Sequence, residues 1–467
     1  MSGLFHHHEP AFPIRCLHLD LKGLPPTAKR LAELPAVIRA AGYNALLVEW
    51  EDMFPWTVHA GLRNETAYTP DEVETFCNRA AELGLEIIPL VQCLGHMETP
   101  LSLPQYRHLR ETPDNCSDLD PLAPGARELV MAMVEDVLRL TQQVRYFHLG
   151  GDESGLGTNA GTRAFIEEHG KGALYLHHVE PMLDSFKARG IRPLLWHDMM
   201  LDWDETALKW LGAKADLCAW GYRGHPDRVE GHWNSRHVQR FHDCGVPLWC
   251  ATAYKCGSDG EADYVAHIED QAENALGWCE VGKRVEAKGI IATGWSRNST
   301  GGKQYVPIDA ALDSLFIIGA ILHDGEAHPA KTDTVFPALQ AIGERERFEA
   351  CHAVARELTA VRNEGWHAVR TVYEKVAVST TDCRRRSDRL YDSLMNWFDD
   401  VVDRSDAIAD RFRLAFDGAI PPLWIERYLA ERLMPIRELH ALLQARGYGI
   451  RDMWPVHSQG SFSGRGS

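Results

Sequence analysis

The segment RYFHLGGDE, at residues 145–153, ends in two adjacent carboxylates, Asp152 and Glu153, directly after the glycines Gly150 and Gly151. The apolar and aromatic residues before the glycines are typical of a buried strand. Glycine adopts backbone conformations that other residues avoid, so the glycine pair can aim both carboxylates into one pocket at the strand end. Because repulsion and burial raise the pKa of one of two close carboxyl groups, we expect one acid and one anion near neutral pH.

Such a pair is suited to cleaving an acetal, since the protonated group can act as a general acid while the other stays negative. The plainer alternative is that Asp152 caps the following helix and Glu153 is solvated, and an isolated Asp-Glu pair would favour that alternative. The surroundings favour the chemical interpretation, because other predicted strands also end in polar and aromatic residues.

Eight short apolar or β-branched runs indicate strands, and segments of helical period lie between most of them. The predicted strands are residues 14–21, 43–50, 85–93, 144–151, 192–198, 216–220, 247–254 and 289–295. Nearly continuous apolar strands that alternate with helices form a parallel sheet covered by helices. Eight such units predict an α/β fold of the (β/α)8 TIM-barrel type, whose strands open at their carboxyl ends onto one face that carries the active site.

The residues at these strand ends define a candidate pocket. They are Asp20, Lys22, Glu49, Glu51, His96, Asp152, Glu153, Trp196, Asp198, Trp220, Tyr254, Trp295 and Arg297. A single tryptophan is more often a core residue, but tryptophans at three strand ends indicate walls for a sugar ring or an apolar substituent.

Beyond about residue 335 the alternation gives way to long amphipathic patterns, which predict a C-terminal α-helical domain. The predicted organisation is an N-terminal tail at 1–13, a catalytic barrel at 14–335, a helical domain at 336–456 and a flexible tail at 457–467.

Composition narrows the partners and the compartment. A formal net charge of −17 argues against a nucleic-acid partner, since proteins that bind phosphate backbones usually carry basic patches. We expect a cytoplasmic protein with no membrane partner, because the chain shows neither a signal-peptide pattern nor an apolar run long enough to span a bilayer. Eleven cysteines without a Cys-x-x-Cys pair favour reduced thiols over a disulfide framework.

We expect no cofactor and no metal, since the chain shows no ligand cluster or phosphate-binding glycine loop of convincing spacing. The run of His6, His7 and His8 could hold a metal ion, but a histidine cluster this close to a terminus is more often a solvated tail. The oligomeric state is left open, a homodimer included.

The motif HLGGDE resembles the His-x-Gly-Gly-Asp-Glu signature of glycoside hydrolase family 20, the β-N-acetylhexosaminidases. Four further segments resemble its hexosaminidase D branch more narrowly: HLDLKGLPP, LLVEWEDMFPW, IIPLVQCLGHME and ATGWSRN. The similarity runs from about residue 14 to residue 300. It implies a retaining mechanism on a terminal β-linked N-acetylhexosamine of a small oligosaccharide or glycoside. In that mechanism the acetamido oxygen of the sugar attacks C1 and an oxazolinium intermediate forms.

The resemblance also implies catalytic roles. Asp152 would accept a hydrogen bond from the acetamido N–H and stabilise the oxazolinium, while Glu153 would act first as general acid and then as general base. His96 would support the surroundings of the acid, together with Glu51 or Asp52.

Further positions would bind the sugar. Tyr254 would hold the acetamido oxygen, and Asp20 and Asp198 are further substrate-binding candidates. The residues that would enclose the acetamido methyl group and the sugar face are Trp196, Trp220 and Trp295.

Three positions depart from the family's pattern. Lys22 replaces the usual sugar-binding arginine, and a lysine offers a flexible point charge where arginine offers a fork. Arg297 stands where many members have a glutamate, and Cys256 stands where many have an aspartate. Those two positions contact O4 and O6 of the sugar in the wider family, so they bear on the choice between GlcNAc and GalNAc. Relatives of the hexosaminidase D branch tend to favour GalNAc, and we expect the same preference.

Two other classes of function stay open. A different barrel glycosidase would use two carboxylates directly, one of them as nucleophile, and would turn over substrates that lack the acetamido group. A non-catalytic sugar-binding barrel would bind N-acetylhexosamine without hydrolysing it, although the presence of both Asp152 and Glu153 gives that alternative little support.

Overall fold

A computed structural model describes residues 4–141, 143–256, 266–297, 304–377 and 389–445. In chain order its strands are β1 (Ile14–Asp20), β2 (Ala45–Glu49), β3 (Glu86–Leu90), β4 (Arg110–Thr112), β5 (Asn115–Leu119), β6 (Tyr146–His148), β7 (Arg192–Trp196), β8 (Asp216–Trp220), β9 (Leu248–Lys255) and β10 (Gly289–Gly294). Eight of them pair in parallel and close into a barrel in the order β1-β10-β9-β8-β7-β6-β3-β2. The predicted (β/α)8 barrel is confirmed, and each predicted strand overlaps one barrel strand.

The remaining two strands, β4 and β5, form a small antiparallel sheet between β3 and β6. This hairpin was not predicted, because its sequences RET and NCSDL lack the apolar alternation that indicates a strand. The hairpin packs against the loop that follows β3, where Met97 donates its N–H to the carbonyl of Ser117 at 2.9 Å.

Helices follow most barrel strands and continue to the C-terminal region. In chain order they are α1 (Ala28–Ala40), α2 (Pro70–Glu82), α3 (Glu98–Leu101), α4 (Ala126–Leu140), α5 (Ala160–His169), α6 (Lys171–Ala188), α7 (Glu205–Lys214), α8 (Ser235–Asp243), α9 (Ile268–Arg284), α10 (Leu312–Asp324), α11 (Phe336–Ala341), α12 (Arg345–Val372), α13 (Arg389–Ala415) and α14 (Pro422–Ala445). Local sequence sets their ends: α2 begins with a capping box between Thr69 and Glu72, with Pro70 in its first turn, where proline lacks only an N–H that would be unpaired anyway. None of the described helices is both long and apolar enough to cross a membrane.

The described chain divides into two compact units. One unit runs to His352 and also includes Asp417–Trp424, and the other comprises Ala353–Phe416 and continues from Ile425. The predicted C-terminal helical region is confirmed by α12, α13 and α14. The domain boundary at 335/336 stays a prediction, and the predicted tail at 457–467 lies outside the described residues.

The end of β6 turns sharply at the two glycines. Gly150 and Gly151 have φ values of 59° and 78°, in the left-handed region that residues with a side chain rarely adopt. A Cβ atom on Gly150 would lie 1.7 Å from Gln92 Oε1, and one on Gly151 would lie 2.3 Å from Tyr175 Oη. Both the backbone conformation and the space therefore require glycine here, and the predicted release of the backbone before the carboxylates is confirmed.

Alanine substitutions can separate the cost of the left-handed backbone from the cost of the missing space at Gly151. Gly245 has φ +77° with nothing within 4 Å of the point that a Cβ atom would occupy, whereas Gly151 has φ +78° and the close Tyr175 hydroxyl. Gly245→Ala should cost only the left-handed strain of about 1–2 kcal/mol. Gly151→Ala should add about 1–3 kcal/mol of overpacking, and so lower the thermal midpoint roughly twice as far. Equal midpoints for the two variants would show that the contact with Tyr175 does not constrain the turn.

Candidate active site

Side-chain alternation explains why several predicted site residues share the barrel interior. Cys16 belongs to the buried cluster inside the barrel, and Asp20 lies four positions further along the same strand, on the same face. Trp196 and Trp220 are themselves members of that cluster, and each is the last residue of its strand. The carboxyl ends of the strands thus bring these side chains together at one end of the barrel.

The carboxylate pair lies beside an imidazole at this end. Asp152 is buried, and the side chain of Glu153 is 53% exposed. His96 Nε2 lies 3.6 Å from Asp152 Oδ2 and 3.3 Å from Glu153 Oε2. His96 and Glu153 have φ values of 55° and 46°, and such strained backbone persists only where the surrounding structure holds it. Asp198 contributes by accepting the Glu153 N–H at 2.9 Å through Oδ2.

Burial and these contacts give the two carboxyl groups different pKa values. Burial raises the pKa of Asp152 to about 6, with Asp198 and Glu153 adding to the rise and His96 opposing it. The hydrogen bond from His96 lowers the pKa of Glu153. Burial disfavours the charged form of His96, but the two carboxylates outweigh it and raise the pKa of His96 well above its usual range. In the unliganded protein the pair therefore keeps its last proton on Asp152.

A second group of buried charges lies at the ends of β1 and β2. Lys22 Nζ is 3.1 Å from Asp20 Oδ2 and 3.1 Å from Glu49 Oε1, and the other oxygen of Glu49 lies 3.0 Å from His18 Nε2. Burial alone would lower the pKa of Lys22, but Asp20 and Glu49 raise it. Burial likewise opposes the charge of Glu49, yet Lys22 and His18 hold its pKa well below the usual range. Two carboxylates thus fix the ammonium group of Lys22 in place.

Four aromatic rings form a wall beside these groups. The ring centres of Trp196 and Trp295 are 6.4 Å apart, Trp220 stacks on Tyr222 at 5.4 Å, and Tyr222 lies 6.2 Å from Trp295. Trp220 Nε1 donates to Asp198 Oδ1 at 3.2 Å. Asp198 therefore joins the aromatic wall to Glu153, because it accepts hydrogen bonds from both Trp220 and the backbone of Glu153.

Tyr222 belongs to this site although the sequence did not single it out. Burial raises the pKa of Tyr222 well above its usual range, and the nearby charges of Asp152 and Glu153 add to the rise. The available signal was its spacing, because Tyr222 follows Trp220 by two positions and such residues tend to face the same side.

The structure does not bring Tyr254 into the aromatic wall. Tyr254 is the extra residue at a register shift between β9 and β10, and a Cβ atom on Gly294 would lie 2.2 Å from its ring. Tyr254 lines a cavity with Leu19, which alternates with the inward residues His18 and Asp20 of β1 and so points outward. The residue is completely buried, and its carbonyl accepts a hydrogen bond from Ser314 of α10 at 2.5 Å. Tyr254 therefore lies in the layer between the barrel and its helices.

The other two acids proposed near His96 lie just after β2. Glu51 Oε2 accepts a hydrogen bond from Thr99 Oγ1 at 2.7 Å, and Glu51, Thr99 and His96 line one cavity. Burial raises the pKa of Glu51 well above its usual range, although Lys22 opposes the rise. Asp52 Oδ2 instead accepts from Asn64 Nδ2 at 2.8 Å. Of the two candidates, Glu51 is the one beside His96.

The remaining predicted positions lie around Trp295 and Arg297. Lys22 Nζ is 5.3 Å from the centre of the Trp295 ring, and the Arg297 guanidinium is 5.2 Å from the centre of the Trp424 ring. Cys256 is buried and has φ +60°. His18 is a buried polar residue that no sequence argument placed in the site, although it shares the inward face of β1 with Asp20. Its partner Glu49 was predicted as a strand-end residue of the pocket, but without a role of its own.

His96 and the two carboxylates are also residue types that bind metal ions. His96, Asp152 and Glu153 each place one ligand atom within 4.8 Å of the others, which is compatible with a metal ion. The atoms concerned are those of the His96 contacts described above, in which the imidazole already lies between the two carboxyl groups.

Comparisons with known proteins agree with this architecture. A family model described as glycosyl hydrolase family 20, catalytic domain, matches residues 37–227. Hexosaminidase D of Bos taurus is 34% identical over 333 residues, which cover 68% of this chain and 94% of that protein. Hexosaminidase D of Homo sapiens is 36% identical over 298 residues, which cover 61% of this chain and 60% of that protein, less than two thirds of its length.

Solved structures support the fold. A chitobiase from Flavobacterium johnsoniae superposes with a TM-score of 0.54 over 93% of this chain and 75% of that chain. Its sequence identity of 15% limits the comparison to the fold.

Proposed function

The chain belongs to glycosyl hydrolase family 20, and on that premise we propose that it is a retaining β-N-acetylhexosaminidase. It acts on the terminal β-linked N-acetylhexosamine of a small oligosaccharide or glycoside. The observation that carries this proposal is the pair Asp152 and Glu153, two adjacent carboxyl groups of different pKa beside an aromatic wall.

We infer that the acetamido group of the substrate supplies the nucleophile. Asp152 Oδ1 is buried and has no hydrogen-bond partner among the described residues, so it is available to accept the acetamido N–H. The charge of Asp152 then stabilises the oxazolinium that forms when the acetamido oxygen attacks C1. The partly exposed Glu153 can reach the leaving oxygen and later the incoming water.

Substrate binding must move one proton between the two carboxyl groups. In the unliganded protein the proton lies on Asp152, whereas the mechanism requires it on Glu153. A bound sugar removes water from Glu153 and raises its pKa, and the acetamido N–H lowers the pKa of Asp152. His96, at 3.3 Å and 3.6 Å from the two carboxylates, is placed to relay the proton. The number of protons on the pair stays the same.

The aromatic wall and the polar groups around it select the sugar. Trp196, Trp220 and Trp295 bind the acetamido methyl group and the sugar face. Tyr222, beside Trp220 and near Asp152, is a better candidate than Tyr254 for the hydroxyl that holds the acetamido oxygen. We propose that GalNAc is preferred over GlcNAc. The support is the resemblance to hexosaminidase D, whose relatives tend to favour GalNAc.

We further propose a cytoplasmic location. The ten cysteines of the described residues form no disulfide with one another, and most of them are buried. Thiols outside disulfides in this number are typical of a reducing compartment.

Substitution of each carboxylate tests the two roles. Glu153→Gln should lower kcat/KM on alkyl β-GalNAc glycosides by about 10²–10⁴-fold, but much less on nitrophenyl β-GalNAc, whose leaving group needs no protonation. Asp152→Asn should lower kcat by about 10²–10³-fold on both substrates. Glu168→Gln, in the exposed part of α5, is the matched control and should leave both rates unchanged. Equal losses for Glu153→Gln on both leaving groups would remove it from the role of acid.

The pH dependence of kcat/KM reports the protons on the free enzyme. Because the active form carries one proton on the pair, kcat/KM should fall above about pH 6, the pKa of Asp152. It should also fall at low pH, below the lowered pKa of Glu153. The positive charge of His96 lowers both pKa values, so His96→Gln should shift both limbs of the profile to higher pH. His169→Gln, at an exposed position of α5, should leave the profile unchanged, and an alkaline limb of His96→Gln that stays in place would contradict the account.

A further inference from the structure

We propose that the N-terminal segment and the end of α10 form a binding site for a divalent transition-metal ion such as zinc. The ligands are His6, Asp324 and His328, with Glu326 as the fourth. This site lies outside the active site and does not depend on the proposed function.

The donor atoms of this cluster already converge. His6, Asp324 and His328 each place one ligand atom within 4.8 Å of the others. His328 Nε2 is 2.6 Å from Asp324 Oδ2, and His6 Nδ1 is 3.9 Å from the same oxygen. Glu326 Oε1 lies 2.9 Å from His6 Nδ1 and 3.3 Å from His7 Nε2.

These separations suit a tetrahedral ion. Ligand atoms at about 2.0–2.2 Å from zinc lie roughly 3.3–3.5 Å from one another. The separations given above run from 2.6 to 3.9 Å, on both sides of that value, and the ligand atoms of His6 and His328 lie within 4.8 Å of each other. Imidazole nitrogens together with carboxylate oxygens are donors that zinc and neighbouring transition metals accept. The ion would replace the protons that now join each imidazole to its carboxylate, so small side-chain rotations are sufficient.

Surrounding groups hold the ligands in orientation. Asp324 Oδ2 accepts the backbone N–H of His6 at 2.7 Å, and Oδ1 accepts that of His7 at 3.3 Å and lies 2.8 Å from His323 Nδ1. The rings of His6 and His328 stack with centres 4.0 Å apart. Such outer contacts fix metal ligands in known sites.

The site lies at the amino-terminal end of the barrel. Ala11, three positions before β1, donates its N–H to the carbonyl of His323 at 2.6 Å. The carboxylates of the active site follow the opposite ends of the strands. A bound ion would join residues that are 318 positions apart, and cross-links that close long loops restrict the unfolded chain most. The expected role is to fasten the N-terminal segment to the last barrel helix.

The three neighbouring histidines differ in their contacts with this cluster. His6 contacts Asp324 and Glu326, and His7 contacts Glu326. His8 is exposed and lies outside the cluster. It therefore provides a matched control of the same residue type in the same segment.

Zinc titration of the chelator-treated full chain tests the proposal. We expect one zinc ion per chain at this site, measured by competition with a chromophoric chelator, and a rise of roughly 2–4 °C in the thermal midpoint. His6→Ala combined with His328→Ala should weaken this binding by more than about tenfold and abolish the rise. His8→Ala should bind zinc as the parent chain does. Asp324→Asn, which keeps the side-chain shape, should reproduce the loss if the double variant folds poorly.

A competing location for zinc is the group His96, Asp152 and Glu153, and hydrolysis of nitrophenyl β-GalNAc separates the two. Zinc at the proposed site should stabilise the chain without changing this activity. Undiminished zinc binding by the double variant, zinc binding that only inhibits hydrolysis, or no binding at millimolar zinc would each overturn the proposal.

Discussion

One proton held between two adjacent carboxyl groups is the constraint on which the rest of this site depends. Asp152 and Glu153 must stay close enough to influence each other and yet differ in pKa. The burial of Asp152 raises its pKa above that of the more exposed Glu153, while the cation of His96 beside both of them lowers both values. The glycines before the pair turn the chain so that both side chains can reach His96. The left-handed backbone of Glu153 and its N–H bond to Asp198 then hold the second carboxylate in position.

The buried charges around the pocket have separate tasks. Lys22 is held by Asp20 and Glu49, so its charge is largely neutralised by the protein and it contributes a fixed group to the pocket. The carboxylate pair, in contrast, retains an unpartnered buried oxygen at Asp152 Oδ1 within the described part of the chain. Buried acceptors of this kind are costly unless a partner arrives, which agrees with a ligand that brings an N–H.

The sequence predicted the barrel because its strands are buried on both sides and therefore apolar almost throughout. It did not predict the hairpin of β4 and β5, whose residues are mostly polar. The positions of the carboxylates and of Trp196 and Trp220 could be anticipated from strand ends. The side to which Tyr254 points depends on a register shift between β9 and β10, which the motif alone does not reveal. The partnership of Lys22 with Glu49 joins two neighbouring strands, so only the fold could show it.

The central claim is that the substrate's acetamido oxygen, and no carboxylate of the protein, attacks C1. A stable thiazoline analogue of the bicyclic intermediate, combined with mass spectrometry after treatment with an activated 2-fluoro sugar, tests it most directly. The account predicts inhibition by the thiazoline at concentrations far below those of substrate, very slow turnover of sugars without the acetamido group, and an unchanged protein mass. A stoichiometric glycosyl adduct on Asp152, Glu51 or Asp198, without thiazoline inhibition, would contradict it.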